Sequence, residues 1–166
     1  QVMASVTTGF DIRAAETAAD MELIRELFRE YQDWLDVDLC FQEFDAELAA
    51  LPGIYALPDG RLYLVFDATN GALAGCVGMR PRGEGRCEMK RLYVRPPWRR
   101  RGLGRELTLM CLTEARKVGY SEMCLDTLTQ LHAARALYRD MGFREIEAYY
   151  DNPLEGVSYM GIALES

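Results

Sequence analysis

Apolar residues alternate over Phe10-Asp11-Ile12-Arg13 and then recur at helical spacing at Met21, Ile24, Leu27, Phe28, Tyr31, Trp34 and Leu35. The pattern predicts a short strand followed by an amphipathic helix. A second helical face, Phe41, Phe44, Leu48 and Leu51, stops at Pro52-Gly53, and Pro58-Asp59-Gly60 marks a turn. Leu62 to Phe66 and Leu73 to Met79 read as strands joined through Thr69-Asn70-Gly71, whose Asn-Gly pair favours a tight hairpin. Gly83-Glu84-Gly85 then turns the chain into a strand from Cys87 to Val94. Leu103, Leu107, Met110, Cys111 and Val118 share the next helical face, ended by Gly119 as a C-cap. A strand at Met123 to Thr127 precedes a helical stripe, Ala134, Leu137, Tyr138 and Met141, capped by Gly142; strands follow around Phe143 to Ala148 and Val157 to Leu164. The predicted order is β-α-α-β-β-β-α-β-α-β-β. No repeat or shift in composition divides it, so one mixed α/β (α+β) domain is expected over residues 1–166.

Composition narrows the class. With 166 residues, 49% of them hydrophobic, the chain can bury one proper core. Nineteen basic against 26 acidic residues leave a net charge of −7, which argues against nucleic acid or an anionic membrane as partner and favours a cationic substrate. The five cysteines, Cys40, Cys76, Cys87, Cys111 and Cys124, are widely spaced in apolar segments and read as reduced core thiols. Without a Cys-x-x-Cys pair, and with His132 the single histidine, neither a metal site nor a histidine-based hydrolase triad is expected. Gln1 to Gly9 lack the features of a signal peptide, Gln1-Val2 is given no structural role, and no segment reaches the length of a membrane span. A cytoplasmic protein is expected.

Against this acidic background Arg95, Arg99, Arg100, Arg101 and Arg105 cluster. Arg99-Arg100-Arg101-Gly102-Leu103-Gly104-Arg105 sits between a predicted strand and a predicted helix. Two glycines let the backbone turn sharply and approach a ligand, and the helix start offers unpaired N–H groups and the positive end of its dipole. Such a turn suits a pyrophosphate. It is not a P-loop, which would close on Gly-Lys-Ser/Thr, nor the dinucleotide fingerprint, whose third glycine is replaced by Leu107.

The remaining pattern, Arg-x-x-Gly-x-Gly over Arg99 to Gly104, together with Ala134-Arg135-Ala136-Leu137-Tyr138-Arg139-Asp140-Met141-Gly142-Phe143, resembles the two signature motifs of the GNAT superfamily of acetyl-coenzyme A dependent N-acetyltransferases. The likeness covers nearly the whole chain, because the predicted element order also matches. It implies a central, mostly antiparallel sheet splayed between the fourth and fifth predicted strands and flanked by about four helices. It also implies acetyl-CoA as cofactor, a small-molecule primary amine as acceptor and, from family habit, a homodimer. Many relatives carry an asparagine about one turn before Ala134; this chain has Leu131-His132 there, so that cofactor contact is not carried over.

Carried onto this sequence, the resemblance implies that Leu92, Tyr93 and Val94 hold the pantetheine arm through the backbone and polarise the thioester carbonyl. Arg99, Arg100, Arg101, Gly102, Leu103, Gly104 and Arg105 hold the pyrophosphate, and Thr127 and Ala134 line the cofactor groove. Tyr138 falls on the family tyrosine that protonates the leaving thiolate, and it is equally compatible with a core aromatic. Glu88, eleven residues before Arg99, is the candidate base: strand alternation would set it on one face with Leu92 and Val94, unless a bulge intervenes, and an exposed pairing with Lys90 is the competing reading. His132 reads as a helix cap or surface residue. Acceptor choice falls to Trp34–Leu51 and Tyr149–Tyr159. There Trp34, Phe41, Phe44, Tyr149, Tyr150 and Tyr159 either wall a pocket or fill core, and Asp33, Asp36, Asp38, Glu43 and Asp45 either attract a cation or form a solvated rim. The rival functions are a protein or peptide N-acetyltransferase and a non-catalytic acyl-CoA sensor.

Overall fold

The computed structural model describes residues 4–7, 9–36 and 43–165. Its elements run β1 (Ala4–Thr7), β2 (Phe10–Ala14), α1 (Ala18–Leu35), α2 (Phe44–Ala50), β3 (Arg61–Asp67), β4 (Leu73–Gly83), β5 (Arg86–Val94), α3 (Leu103–Val118), β6 (Glu122–Leu128), α4 (His132–Asp140), β7 (Arg144–Glu145) and β8 (Val157–Ala163). The predicted order therefore holds, with one strand added before it. The predicted strand at Phe143 to Ala148 contracts to Arg144–Glu145. The second helix begins at Phe44, and Cys40, Phe41 and Asp38 lie outside the described residues.

All eight strands form one sheet in the order β1-β2-β3-β4-β5-β6-β8-β7. Every pair is antiparallel except β5 with β6. That parallel pair holds together only over Arg86↔Glu122, Cys87↔Met123 and Glu88↔Cys124. Beyond Glu88 the two strands part, which is the splay expected between the fourth and fifth predicted strands.

Two apolar layers cover the sheet. On one face, Cys87, Met89, Met123 and Leu125 pack under Leu103, Leu107, Cys111 and Ala115 of α3 and Tyr138 of α4. On the other, Leu62, Leu64, Cys76 and Tyr93 meet Ile24, Leu27 and Phe28 of α1 and Phe44 and Leu48 of α2. Local chemistry sets the helix ends. Thr17 caps α1 and Asp20 closes the capping box, while the Asp20 carboxylate also takes both terminal nitrogens of Arg13 at 3.0 and 2.9 Å. Asp20 is thereby held well below the usual carboxylate range, chiefly by Arg13.

One departure from regular pairing matters for the site. Cys76 faces Tyr93 and Gly78 faces Lys90, so Arg91 and Leu92 together oppose Val77. This is a bulge, and Arg91 takes φ 59° to make it. Gly75 allows the strands to close above it, since a Cβ there would stand 2.5 Å from the Tyr93 carbonyl oxygen.

Candidate functional site

Three openings border the splay, and neighbouring ones share lining residues. The first is the basic glycine turn, where Leu92, Val94, Arg99, Gly102, Gly104 and Tyr138 help to line a cavity of about 370 Å³. Here Gly102 stands at φ 83° as the N-cap of α3, with no side chain capping the helix. Glu106 N–H is the donor that reaches back to the Gly102 carbonyl, so the N–H groups of the first turn face the opening. A Cβ on Gly102 would meet nothing within 4 Å, whereas one on Gly104 would press Leu137 of α4 at 3.3 Å. The turn is open toward the cavity and tight toward the helix behind it. That geometry fits a phosphate-bearing ligand.

The arginines are less uniform than their spacing suggests. Arg99 donates through Nε to the Val94 carbonyl at 2.8 Å and stacks on Trp34 and Tyr93 at 4.9 and 5.7 Å. Arg101 lies over Phe10, and Arg105 pairs with Asp140. Arg100, at φ 63°, is exposed on the rim. Arg95 belongs elsewhere, bound to Glu26 and Glu30 of α1. Trp34 is 44% exposed and lines the cradle, not an acceptor pocket.

The second opening is the gap between the splayed strands, lined by Met89 to Leu92 of β5, Leu125, Asp126 and Thr127 of β6, and Tyr31, Trp34, Ala134 and Tyr138. Trp34, Leu92, Ala134 and Tyr138 border both this gap and the cradle. Burial pushes the Tyr138 hydroxyl up, keeping it protonated, and its ring packs on Phe143 at 5.7 Å. The described cysteines are all free and buried. Burial also lifts their thiols, Cys124 to about 11 and Cys87 to about 12, so none offers a thiolate near neutral pH.

The third opening, about 620 Å³, lies on the α1/α2 face and shares Lys90 and Arg91 with the lining of the gap. Glu88 faces it. The bulge reverses the alternation, so Glu88 is on the opposite face from Leu92 and Val94, which pack with α3. The expectation that the three share a face is corrected accordingly. Glu88 is only 1% exposed, with Arg80 at 3.7 Å and Arg82 at 4.0 Å, so it is a buried carboxylate and not the exposed one of the competing reading. Tyr149 donates to Glu88 Oε2 at 2.5 Å, while Oε1 has no hydrogen-bond partner. Glu88 and Tyr138 line different cavities.

Several residues of this cavity escaped sequence reasoning. Arg91 and Glu47 form a buried pair with bonds of 2.9 and 3.2 Å. Burial alone would raise the Glu47 carboxyl, but Arg91 holds it below its ordinary value. Tyr149, Tyr150 and Tyr159 pack edge to face with centroids 5.3 to 5.7 Å apart; Tyr150 reaches the cavity and donates to Asp126 in the gap. Phe44 is core beneath Arg91. Among the five acids expected to draw a cation, Glu43 lines the cavity, and Asp33, Asp36 and Asp45 stand exposed away from its lining. His132 is exposed at the start of α4.

The splayed mixed sheet with a glycine turn at a helix start defines the class of fold, and the comparisons with known proteins agree with it. The sequence profile of the Acetyltransferase (GNAT) family matches residues 21–143, and the chain belongs to that family. It is similar to an uncharacterized N-acetyltransferase of Schizosaccharomyces pombe, 40% identical over 158 residues that cover 95% of this chain and 96% of the relative. It is also similar to the uncharacterized N-acetyltransferase YjgM of Escherichia coli, 31% identical with 80% and 78% covered. An acetyltransferase of the GNAT family from Staphylococcus aureus superposes with a TM-score of 0.77 over 94% of this chain and 99% of that one, at 16% identity. The protein is an N-acetyltransferase. Among the described residues no helix is long and apolar enough to cross a membrane.

Proposed function

We propose that this enzyme, read as one domain over its 166 residues, binds acetyl-CoA in the cradle and gap and acetylates a primary amine of a small molecule arriving from the α1/α2 face. The observation that carries the proposal is the sharing of lining residues between neighbouring openings, Tyr138 between cradle and gap, and Lys90 and Arg91 between the gap and the third opening. When bound, acetyl-CoA supplies an activated thioester. The first-turn N–H groups of α3 and exposed Arg100 hold the diphosphate, Arg101 and Arg105 flank it, and Leu92 to Val94 lie along the arm. Since Arg99 already occupies the Val94 carbonyl, the arm depends more on Leu92.

The acceptor nitrogen must be neutral to attack the carbonyl carbon. Backbone N–H near Leu92 faces the charge that develops on the carbonyl oxygen. With acetyl-CoA bound, Tyr138 would give its proton to the sulfur that leaves as the amine takes the acetyl group, and the amine proton would pass toward Glu88. Because Glu88 sits one cavity away, it acts through intervening groups. High thiol pKa values favour direct transfer without a cysteine acyl carrier. The free buried cysteines also fit a reducing, cytoplasmic setting.

The test is calorimetric binding of acetyl-CoA followed by thiol release against polyamines, amino acids, aminoglycosides and short peptides. Binding with turnover on a small amine supports the proposal. Turnover restricted to protein amines moves the acceptor class, and absence of binding removes the cradle.

A further inference from the structure

The acceptor cavity carries the opposite charge bias from the protein as a whole. Arg80, Arg82, Lys90 and Arg91 line it against Glu43, Glu47 and Glu88, although the chain has seven more acidic than basic residues. Arg91 is matched by Glu47. Arg80 and Arg82 instead share one carboxylate oxygen, Glu88 Oε1, at 3.7 and 4.0 Å, too far for a hydrogen bond. Among the described residues Arg80 donates through Nε to the Pro81 carbonyl, and Arg82 lies over the rings of Tyr149 and Tyr150 at 4.9 and 5.2 Å. Both side chains are about a quarter exposed. They retain forked donors with no carboxylate bonded to them, held in place by stacking and by strand pairing of Arg80 with Glu88.

From this arrangement, and resting on the reading of the cavity as the acceptor site, the geometry points to an acceptor that carries a carboxylate as well as an amine. Arg80 and Arg82 bind the carboxylate; the amine extends to the gap. Planar, bidentate donors suit a carboxylate better than they suit another cation. Tyr150 sets the separation, because Arg82 lies over its ring while its hydroxyl donates to gap-lining Asp126. The two functional groups are therefore about one tyrosine side chain apart, longer than in a simple α-amino acid and close to a short peptide or a long ω-amino acid.

The experiment compares glycine, diglycine, triglycine and 6-aminohexanoate with their carboxamides, in thiol-release kinetics and in calorimetric binding to the CoA-loaded enzyme. The expected result is a kcat/KM at least about tenfold higher for the longer carboxylates than for their amides, as a lost charge-assisted bond predicts. Arg82→Gln and Arg80→Gln should collapse that ratio toward one, with circular dichroism unchanged. Equal kinetics for acid and amide, or variants that slow both alike, overturn the carboxylate site while leaving N-acetyltransfer standing. If none of these amines is acetylated but the acids bind and Arg82→Gln abolishes binding, the acceptor reading fails and the anion site stands. Neither turnover nor binding overturns both.

Discussion

The two sides of the splay, proposed above as cofactor and acceptor sites, are built by different means. The cradle is made of main chain: a glycine at positive φ, an uncapped helix start and a strand edge. The acceptor cavity is made of side chains drawn from α2, β4, β5 and the segment before β8. A main-chain site tolerates many side chains and fixes one ligand shape, whereas a side-chain site changes its ligand with each substitution. That division lets one fold keep its cofactor while its acceptor varies. It also predicts where mutations separate the two functions.

The largest effect is expected at the junction. Tyr138→Phe should lower kcat by roughly 10² to 10⁴, the range for a lost general acid, while acetyl-CoA affinity stays within about threefold, since the ring still packs on Phe143. Single-turnover rates beside calorimetry check this, and an unchanged kcat would make Tyr138 a packing residue alone. Next comes the acceptor wall. Glu47→Ala leaves the Arg91 guanidinium buried without its carboxylate, and removing one partner of a buried pair costs about 3–5 kcal/mol. The more exposed pair of Glu26 with Arg95 should give no more than about 1 kcal/mol when cut by Glu26→Ala. Urea unfolding of both variants measures the difference, and similar losses would contradict it. On the cradle side, Gly102→Val places a branched residue at φ 83°, a strain of about 1–3 kcal/mol. Acetyl-CoA binding should weaken by about five- to a hundredfold with acceptor KM unmoved; a parallel rise in acceptor KM would mean that the two sides are not independent.

The same division explains what could be read from the chain. Hydrophobic periodicity located the main helices and strands because burial drives them, and the cradle was legible because Arg99 to Gly104 is contiguous. Arg91 could not be read. Nothing about an arginine announces φ 59°, yet that one bulge decides which face Glu88 takes. Nor could the partners of Glu88 be found locally: Tyr149 is 61 positions away, and Glu47 reaches Arg91 across 44. Phe143 to Ala148 looked like a full strand from its apolar content, but only Arg144 and Glu145 pair with β8, after which the chain carries Tyr149 and Tyr150 toward the acceptor cavity.

The smallest effect sharpens the comparison through pH. Each side has a carboxylate anchoring its architecture. Asp20 ties the start of α1 to Arg13, and Asp67 accepts from Thr69 and, at 2.8 Å, from the indole of Trp98, which lines the cradle. Both carboxyls lie below their ordinary values, Asp67 at about 2 because of the Thr69 and Trp98 bonds and Asp20 chiefly through Arg13. A depressed carboxyl binds fewer protons folded than unfolded. Its contribution is therefore complete above the unfolded value near pH 4 and is lost as pH falls through the folded one. On acidification, tryptophan fluorescence from Trp98 should report the loss of the Asp67 bond and the helical signal of α1 the loss of the Asp20 bond. Asp67→Asn should make the acid limb shallower and leave the contribution of Asp20 in place. Fluorescence and far-ultraviolet circular dichroism recorded between pH 5 and about 2 decide it: coincident transitions in the wild type would show that the two sides unfold as one unit.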